Sequence, residues 1–319
     1  MKKFIWVTAS ALVVAGSGYT DATEKQQPAL KTVRIDTLSV RDTLYHLSGG
    51  GGNSLALIDE INGGVVLIDT KLPDWGGAVL DALESVTDLP VTTIINTHAH
   101  ASHAGSNPEF SGTKQIISHE NTRANMTRMD HYRGRNAASL PTTTFVDRFS
   151  LLDDLDRIDL YYFGPAHTDG DIIVVFPAKG VAYVGDLFPS KSVPVIDTAN
   201  GGSGLSFPDT LAKAVAEIEG VTRVITGHAP PPMTYAGRGQ RESGYSTRRR
   251  GRTTWDDFRE YAEFTLDFVE AVKVAALTGK TVDEATANLT LPERWAAYDM
   301  ESSRASVEAI YSELGDPSR

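Results

Sequence analysis

Three of the chain's eight histidines fall within six residues, in the run Thr97-His98-Ala99-His100-Ala101-Ser102-His103, directly after an apolar stretch over 91–95. If that stretch is a strand, its end throws the next residues into a loop, where alternate side chains such as His98 and His100 point the same way. Imidazole is the commonest metal ligand in proteins, and several converging on one point are what zinc or iron needs. The trio is therefore read as a metal-binding loop.

Further ligand candidates follow in order. They are His167 in Gly164-Pro165-Ala166-His167-Thr168-Asp169-Gly170-Asp171, Asp186 in Val184-Gly185-Asp186-Leu187, and His228 in Thr226-Gly227-His228. In sequence order and spacing, from the glycine-rich segment at Gly49 to His228, these motifs resemble the metallo-β-lactamase superfamily. Its HxHxDH signature is matched with one departure, Ser102 in the aspartate's place. The resemblance implies an α/β fold, an αββα sandwich in which two sheets face each other and the metals sit at one edge. It assigns His98, His100 and His167 to a first metal, and His103, Asp186 and His228 to a second, with Asp186 able to bridge both. Asp69 matches the aspartate that buttresses the metal loops.

The chemistry implied is hydrolysis. Three imidazoles leave a tetrahedral zinc one open position, and zinc lowers the pKa of a bound water from 15.7 to about 7. The resulting hydroxide would attack the carbonyl of an ester, thioester, lactone or β-lactam, a small acyl substrate. Ser102 and Asp186 are the catalytic candidates beside that water. A serine hydroxyl is neutral, a poor zinc ligand, and no base near pH 7. The expectation is thus one tightly bound Zn2+ and a weak or facultative second ion. The segments Asp186-Leu187-Phe188, 196–203 and 140–145 are similar to the exported glyoxalase-II-like hydrolases. Two other readings stand beside hydrolysis. In a persulfide dioxygenase-like oxidoreductase, His98, His167 and Asp186 would hold one Fe2+ and leave positions open for oxygen and substrate. Ser102 also fits a catalytically degraded metal-binding protein.

The chain's other features set the boundaries. Met1-Lys2-Lys3, an apolar run over 4–15 and small residues to Ala22 read as a bacterial signal peptide, giving an exported or periplasmic protein without a stable membrane anchor after cleavage. The expected organisation is a signal peptide over 1–22, a linker over 23–32, the metallo-β-lactamase-like domain over 33–235, an Arg-rich loop over 236–254 and a C-terminal helical extension over 255–319. The absence of cysteine leaves metal ligation to histidine and carboxylate. A net charge of −11 argues against general affinity for nucleic acid, so any anionic substrate must meet a local basic patch. Arg248, Arg249 and Arg250 in the Arg-rich loop are one candidate, as a lid over an anionic substrate; a solvated loop is the other reading. Lys191 and the loop over 197–203 are read as pocket-lining or as plain surface. The glycine run over 49–52 lacks the lysine and following helix of a phosphate-binding loop.

Hydrophobic periodicity predicts strands over 32–40, 43–47, 54–59, 65–69, 91–95, 114–117, 157–163, 171–177, 181–184 and 222–225. It predicts helices over 75–86, 121–131, 207–218, 255–276 and 303–314, and one begun by the capping box Thr281-Val282-Asp283-Glu284. The aromatic stripe of 255–276 is read as core, and His119 and His131 as ordinary polar residues.

Overall fold

The computed structural model describes residues 31–38, 43–228 and 253–315. The expected signal peptide, the linker up to residue 30, and the Arg-rich loop up to residue 252, with Arg248, Arg249 and Arg250, lie outside the described residues.

One sheet holds β1 (Arg34–Thr37), β2 (Leu44–Ser48), β3 (Ser54–Asp59), β4 (Gly64–Ile68), β5 (Val91–Ile95), β6 (Gln115–His119) and β7 (Thr143–Phe145), side by side in chain order. The first four are antiparallel, as hairpin connections allow. From β4 onward the pairs are parallel, and each needs a crossover. Those crossovers carry α1 (Gly76–Glu84), the histidine loop with the one-turn α2 (Ala101–Ala104), and α3 (Glu120–Arg128). The second sheet comprises β8 (Arg148–Leu151), β9 (Ile158–Tyr161), β10 (Ile173–Phe176), β11 (Val181–Tyr183) and β12 (Arg223–Ile225), in the order β12-β11-β10-β9-β8. Its one parallel pair, β11 with β12, is joined through α4 (Phe207–Glu217). The chain then forms α5 (Trp255–Leu277), α6 (Val282–Ala287) and α7 (Ser303–Glu313).

The two-residue period of a strand sorts side chains into layers. Leu55, Leu57, Val66, Ile68, Ile95 and Ile117 face inward, onto Ile158, Leu160, Val174, Phe176, Val181 and Tyr183 of the second sheet. Their neighbours Ala56, Val65, Leu67, Ile94 and Ile116 face outward, onto Val79, Ala82 and Leu83 of α1. On the far side Ile173, Val175, Ala182 and Val224 meet α4, α5 and α7 through Phe207, Leu211, Phe258, Phe264 and Ile310. Both faces of each sheet are therefore covered, and the architecture is the αββα sandwich with C-terminal helices. Fully burying one such Val, Leu or Ile contributes about 1.5–3 kcal/mol.

Helix α5 starts at a reciprocal capping box: Thr254 Oγ1 accepts from Asp257 N–H at 3.2 Å, and Asp257 Oδ2 accepts from Thr254 N–H at 2.8 Å. Its stripe Trp255, Phe258, Tyr261, Phe264, Phe268 and Val272 is buried against the second sheet, so the aromatic pattern is core, as its spacing predicts. The Thr281–Glu284 box opens α6 in the same way. Among the described residues no helix is long and apolar enough to cross a membrane.

The structure differs from the sequence reading in three places, the first being the one-turn helix α2 inside the expected histidine loop. Strands β7 and β8 are additional. The helix expected over 121–131 ends at Arg128, because Met129 turns to extended backbone (ψ 134°) and a 3-10 turn over Asp130–Tyr132 follows.

Candidate metal centre

All the candidate ligands leave the same edge of the sandwich. His98, His100 and His103 follow the C-terminal end of β5, Asp186 follows β11, and His228 follows β12. His167 precedes β10, which runs antiparallel to β11 and so starts where β11 ends. Ligands gathered in the crevice beyond the carboxyl ends of parallel strands are a recurrent result of this kind of topology.

Two groups of donors form there. His98, His100, His167 and Asp186 make one, and His103, Asp186 and His228 the other; within each group the donor atoms lie within 4.8 Å of one another. In the first, His167 Nε2 is 3.1 Å from His100 Nδ1, and His98 Nε2 and His167 Nε2 are 3.7 and 3.6 Å from Asp186 Oδ2. In the second, His103 Nε2 is 3.3 Å from Asp186 Oδ1, and His228 Nε2 is 3.2 Å from Asp186 Oδ2 and 3.4 Å from His103 Nε2. Ligands on a tetrahedral ion with metal–nitrogen bonds near 2.0–2.1 Å stand about 3.3 Å apart. The donor separations fit that edge length. Among the described residues His98 Nε2 is also buried without a hydrogen-bond partner, an expensive state for an imidazole nitrogen unless a cation meets it.

Each histidine is fixed from behind through its other nitrogen. His103 Nδ1 lies 2.7 Å from Asp69 Oδ2, and His100 Nε2 lies 2.7 Å from Asp197 Oδ2. His167 Nδ1 meets the Val195 carbonyl at 2.9 Å, His228 Nδ1 the Gly51 carbonyl at 2.8 Å, and His98 Nδ1 the Thr97 hydroxyl at 3.1 Å. Outer partners of this kind select the tautomer and aim the ligand nitrogen. Asp69, at the end of β4 in a left-handed conformation (φ 61°), also accepts from Thr97 N–H and Oγ1–H at 2.8 and 2.7 Å and from Tyr183 O–H at 3.0 Å. It thereby joins the ends of β4, β5 and β11 beneath the site.

The loops approach so closely that two positions exclude a side chain. A Cβ on Gly52 would stand 2.6 Å from the Ser102 carbonyl oxygen, and one on Gly227 would collide with the Asp186 carboxylate. Asn53 completes the join, donating its backbone N–H to Gly227 O at 2.7 Å and its amide to Thr226 O at 2.8 Å.

The charges around the centre call for a cation. Burial is the largest influence on His98 and holds its imidazole well below the ordinary value, with His103 adding to it. At Asp186 burial works against ionisation, yet His103 beside it and hydrogen bonds from His103 and His228 keep the carboxyl well below the usual range. Burial also opposes protonation of His103, but Asp186 and Asp69 outweigh it and raise the metal-free imidazole to about 10. His228 is raised chiefly by its hydrogen bond to Asp186. Two buried carboxylates thus hold a proton on the histidine between them, a charge a metal ion would replace.

The donor groups gather His98, His100, His103, His167, Asp186 and His228 at one place. Ser102 is half-buried on α2, next to His103, and is in neither donor group. Lys191 makes a 2.6 Å ion pair with Glu260 and lies over the ring of Tyr298. His119 caps α3 and stacks on Tyr162, and His131 bonds the Gly105 carbonyl at 2.7 Å; neither is in a donor group. Sequence reasoning placed Asp197 only in a pocket loop and missed its grip on His100; 97 positions separate the two. It did not single out Lys71, since lysine is ordinarily a surface residue.

Residues 48–242 match the Metallo-beta-lactamase superfamily. The 2,4-dinitroanisole O-demethylase subunit alpha of Nocardioides sp. (strain JS1661) is 30% identical over 156 residues, 48% of this chain and 46% of that protein. Metallo-beta-lactamase domain-containing protein 1 of Mus musculus is 35% identical over 75 residues, 23% of this chain and 28% of that protein. The chain spans less than half the length of the curated relatives it matches. Among solved structures, a metallo-beta-lactamase from Pontibacter korlensis covers 74% of this chain and 100% of its own, with a TM-score of 0.56 and 16% identity. The metallo-beta-lactamase FIM-1 from Pseudomonas aeruginosa in a mono-zinc form covers 74% of this chain and 95% of its own, with a TM-score of 0.55 and 13% identity. At these identities the likeness is one of fold.

Proposed function

The chain belongs to the metallo-β-lactamase superfamily, and from that premise we propose that it is a metal-dependent hydrolase acting on the carbonyl of a small ester, thioester, lactone or β-lactam. The observation that carries the reading is the convergence of five imidazoles on the Asp186 carboxylate, each held from behind by its own partner. A divalent ion bound there supplies Lewis acidity, polarising a carbonyl and making hydroxide available near neutral pH. The residues themselves provide the rest. His98 and His103 are buried, whereas the side chains of His100 and His228 are 28% and 40% exposed, so a substrate approaches over those two. Asp186, kept ionised by the histidines around it, is shared by both donor groups. To Ser102, beside His103, we assign the role of a hydrogen-bond donor to the attacking nucleophile, not of its base.

The donor sets favour one tightly held ion, preferably zinc, in the three-histidine group. The other group has only His103, Asp186 and His228 and no carboxylate at position 102. That imbalance also supports a second reading, an Fe2+ oxidoreductase on His98, His167 and Asp186. We also assign export to residues 1–22, and hold the Arg-rich loop and Lys191 as candidate contacts for an anionic substrate. The test combines metal analysis of the purified protein with a panel of thioesters, lactones, esters, β-lactams and a persulfide, extended to aryl methyl ethers because of the O-demethylase relative. Zinc-dependent, oxygen-independent turnover of a carbonyl substrate supports the proposal. Iron with oxygen-dependent turnover of a persulfide replaces it, and no turnover on any substrate favours a degraded metal-binding protein.

A further inference from the structure

Lys71 is fully buried, and among the described residues its amine bonds no carboxylate. Its Nζ donates instead to two backbone carbonyls, Leu47 at 3.0 Å and Gly52 at 2.7 Å. These carbonyls bracket the glycine loop between β2 and β3. The same loop presents the Gly51 carbonyl to His228 Nδ1, packs Gly52 against the Ser102 carbonyl, and through Asn53 bonds the backbone on both sides of Gly227. Four consecutive glycines give the loop no side chains with which to hold its own shape, and glycine is the residue with most conformational freedom to lose. The Lys71 backbone is itself in a left-handed conformation (φ 70°), an unfavourable state for a side-chain-bearing residue, tolerated where surroundings over-determine it.

We infer that Lys71 is a positioning residue for the second metal group: it clamps the glycine loop so that Gly51 aims His228 at Asp186. The inference rests on the proposed metal site. Its specificity comes from geometry, because the loop contacts His228, Gly227 and the Ser102–His103 turn, whereas His98, His100 and His167 are oriented by Thr97, Asp197 and Val195. Burial pushes the Lys71 amine down to about 7, against the pull of Asp69. The clamp persists on either side of that value, since a neutral amine keeps two N–H donors for the two carbonyls.

The test is Co2+ titration, followed by the ligand-field spectrum, of the full chain and of Lys71→Met, each alone and combined with Ser102→Asp. The aspartate adds a carboxylate to the second group, so that a second equivalent is read even where the native site fills weakly. Removing an outer partner of a metal ligand typically costs 10–100-fold in affinity. The expected result is a second dissociation constant raised about tenfold or more by Lys71→Met, with the first equivalent unchanged within about twofold and its spectrum unaltered. The first equivalent serves as the control for folding; where Lys71→Met does not fold, Lys71→Gln is titrated instead. Equal weakening of both equivalents, or of neither, overturns the inference and leaves the metal site standing. If no form binds a second ion, the two-group reading fails and the inference with it.

Discussion

The two donor groups of the candidate metal centre share Asp186 and draw on one histidine loop, yet they are built differently. The first takes three imidazoles, each backed by a carboxylate, a carbonyl or a hydroxyl from the two facing sheets and their connections. The second takes two imidazoles, has a serine where the family's signature has a carboxylate, and has as its outermost donor His228, whose side chain is 40% exposed. With one carboxylate common to both groups, the difference between them lies in what each adds separately. The first group has three imidazoles, of which buried His98 is held well below its ordinary pKa, and the second has two, His103 and His228, both raised by Asp186 beside them.

The largest expected effect comes from deleting a donor. His167→Ala should remove the tightly held ion and the activity with it, by more than the roughly 100-fold that outer partners account for, as read by metal retention through gel filtration. Retention of one ion at native strength would move the tight site to the other half. Next, Asp197→Ala frees His100 Nε2 and should weaken the first equivalent about 10–100-fold while sparing the second, as read by calorimetric titration. Equal weakening of both would erase the distinction between the halves.

A smaller effect separates them by pH. His98 is already neutral in the metal-free protein, whereas His103 is protonated up to about 10 and must lose that proton to bind metal. Affinity for the second equivalent should therefore rise with pH between about 7 and 10 more steeply than affinity for the first. Titrations in buffers of different ionisation enthalpy should show proton release on the second step.

The smallest effect concerns stability. Lys71 has a pKa of about 7 when folded and 10.5 when unfolded. Between those values the unfolded chain holds the proton and the folded chain does not, so this group makes folding more favourable as pH rises through the window. Relative to wild type, Lys71→Met should show a shallower change in urea midpoint between pH 7 and 10. Parallel curves would mean that the lysine is charged when folded.

Much of this was legible in the chain. Strands β3 and β5 match the predicted spans residue for residue, because an apolar run ended by turn residues has few other uses. Histidine density marked the loop, and the motif order marked the partners. Strands β7 and β8 were not legible: Thr143–Phe145 is three residues with no pattern of its own, held by pairing with β6, and Arg148–Leu151 alternates between exposed and half-buried positions at an edge. Asp197 and Lys71 escaped for a related reason. Their roles depend on contacts with His100 and with the glycine loop that only the folded chain brings about, and neither residue type signals such a contact by itself.

The most direct measurement is the zinc stoichiometry of the native chain against Ser102→Asp, by titration with mass-spectrometric metal analysis. The unequal build of the two halves predicts one tight zinc per native chain and a second that strengthens on the order of tenfold or more in the variant, the first staying constant. Two equally tight zincs in the native chain, unaffected by the substitution, would contradict it.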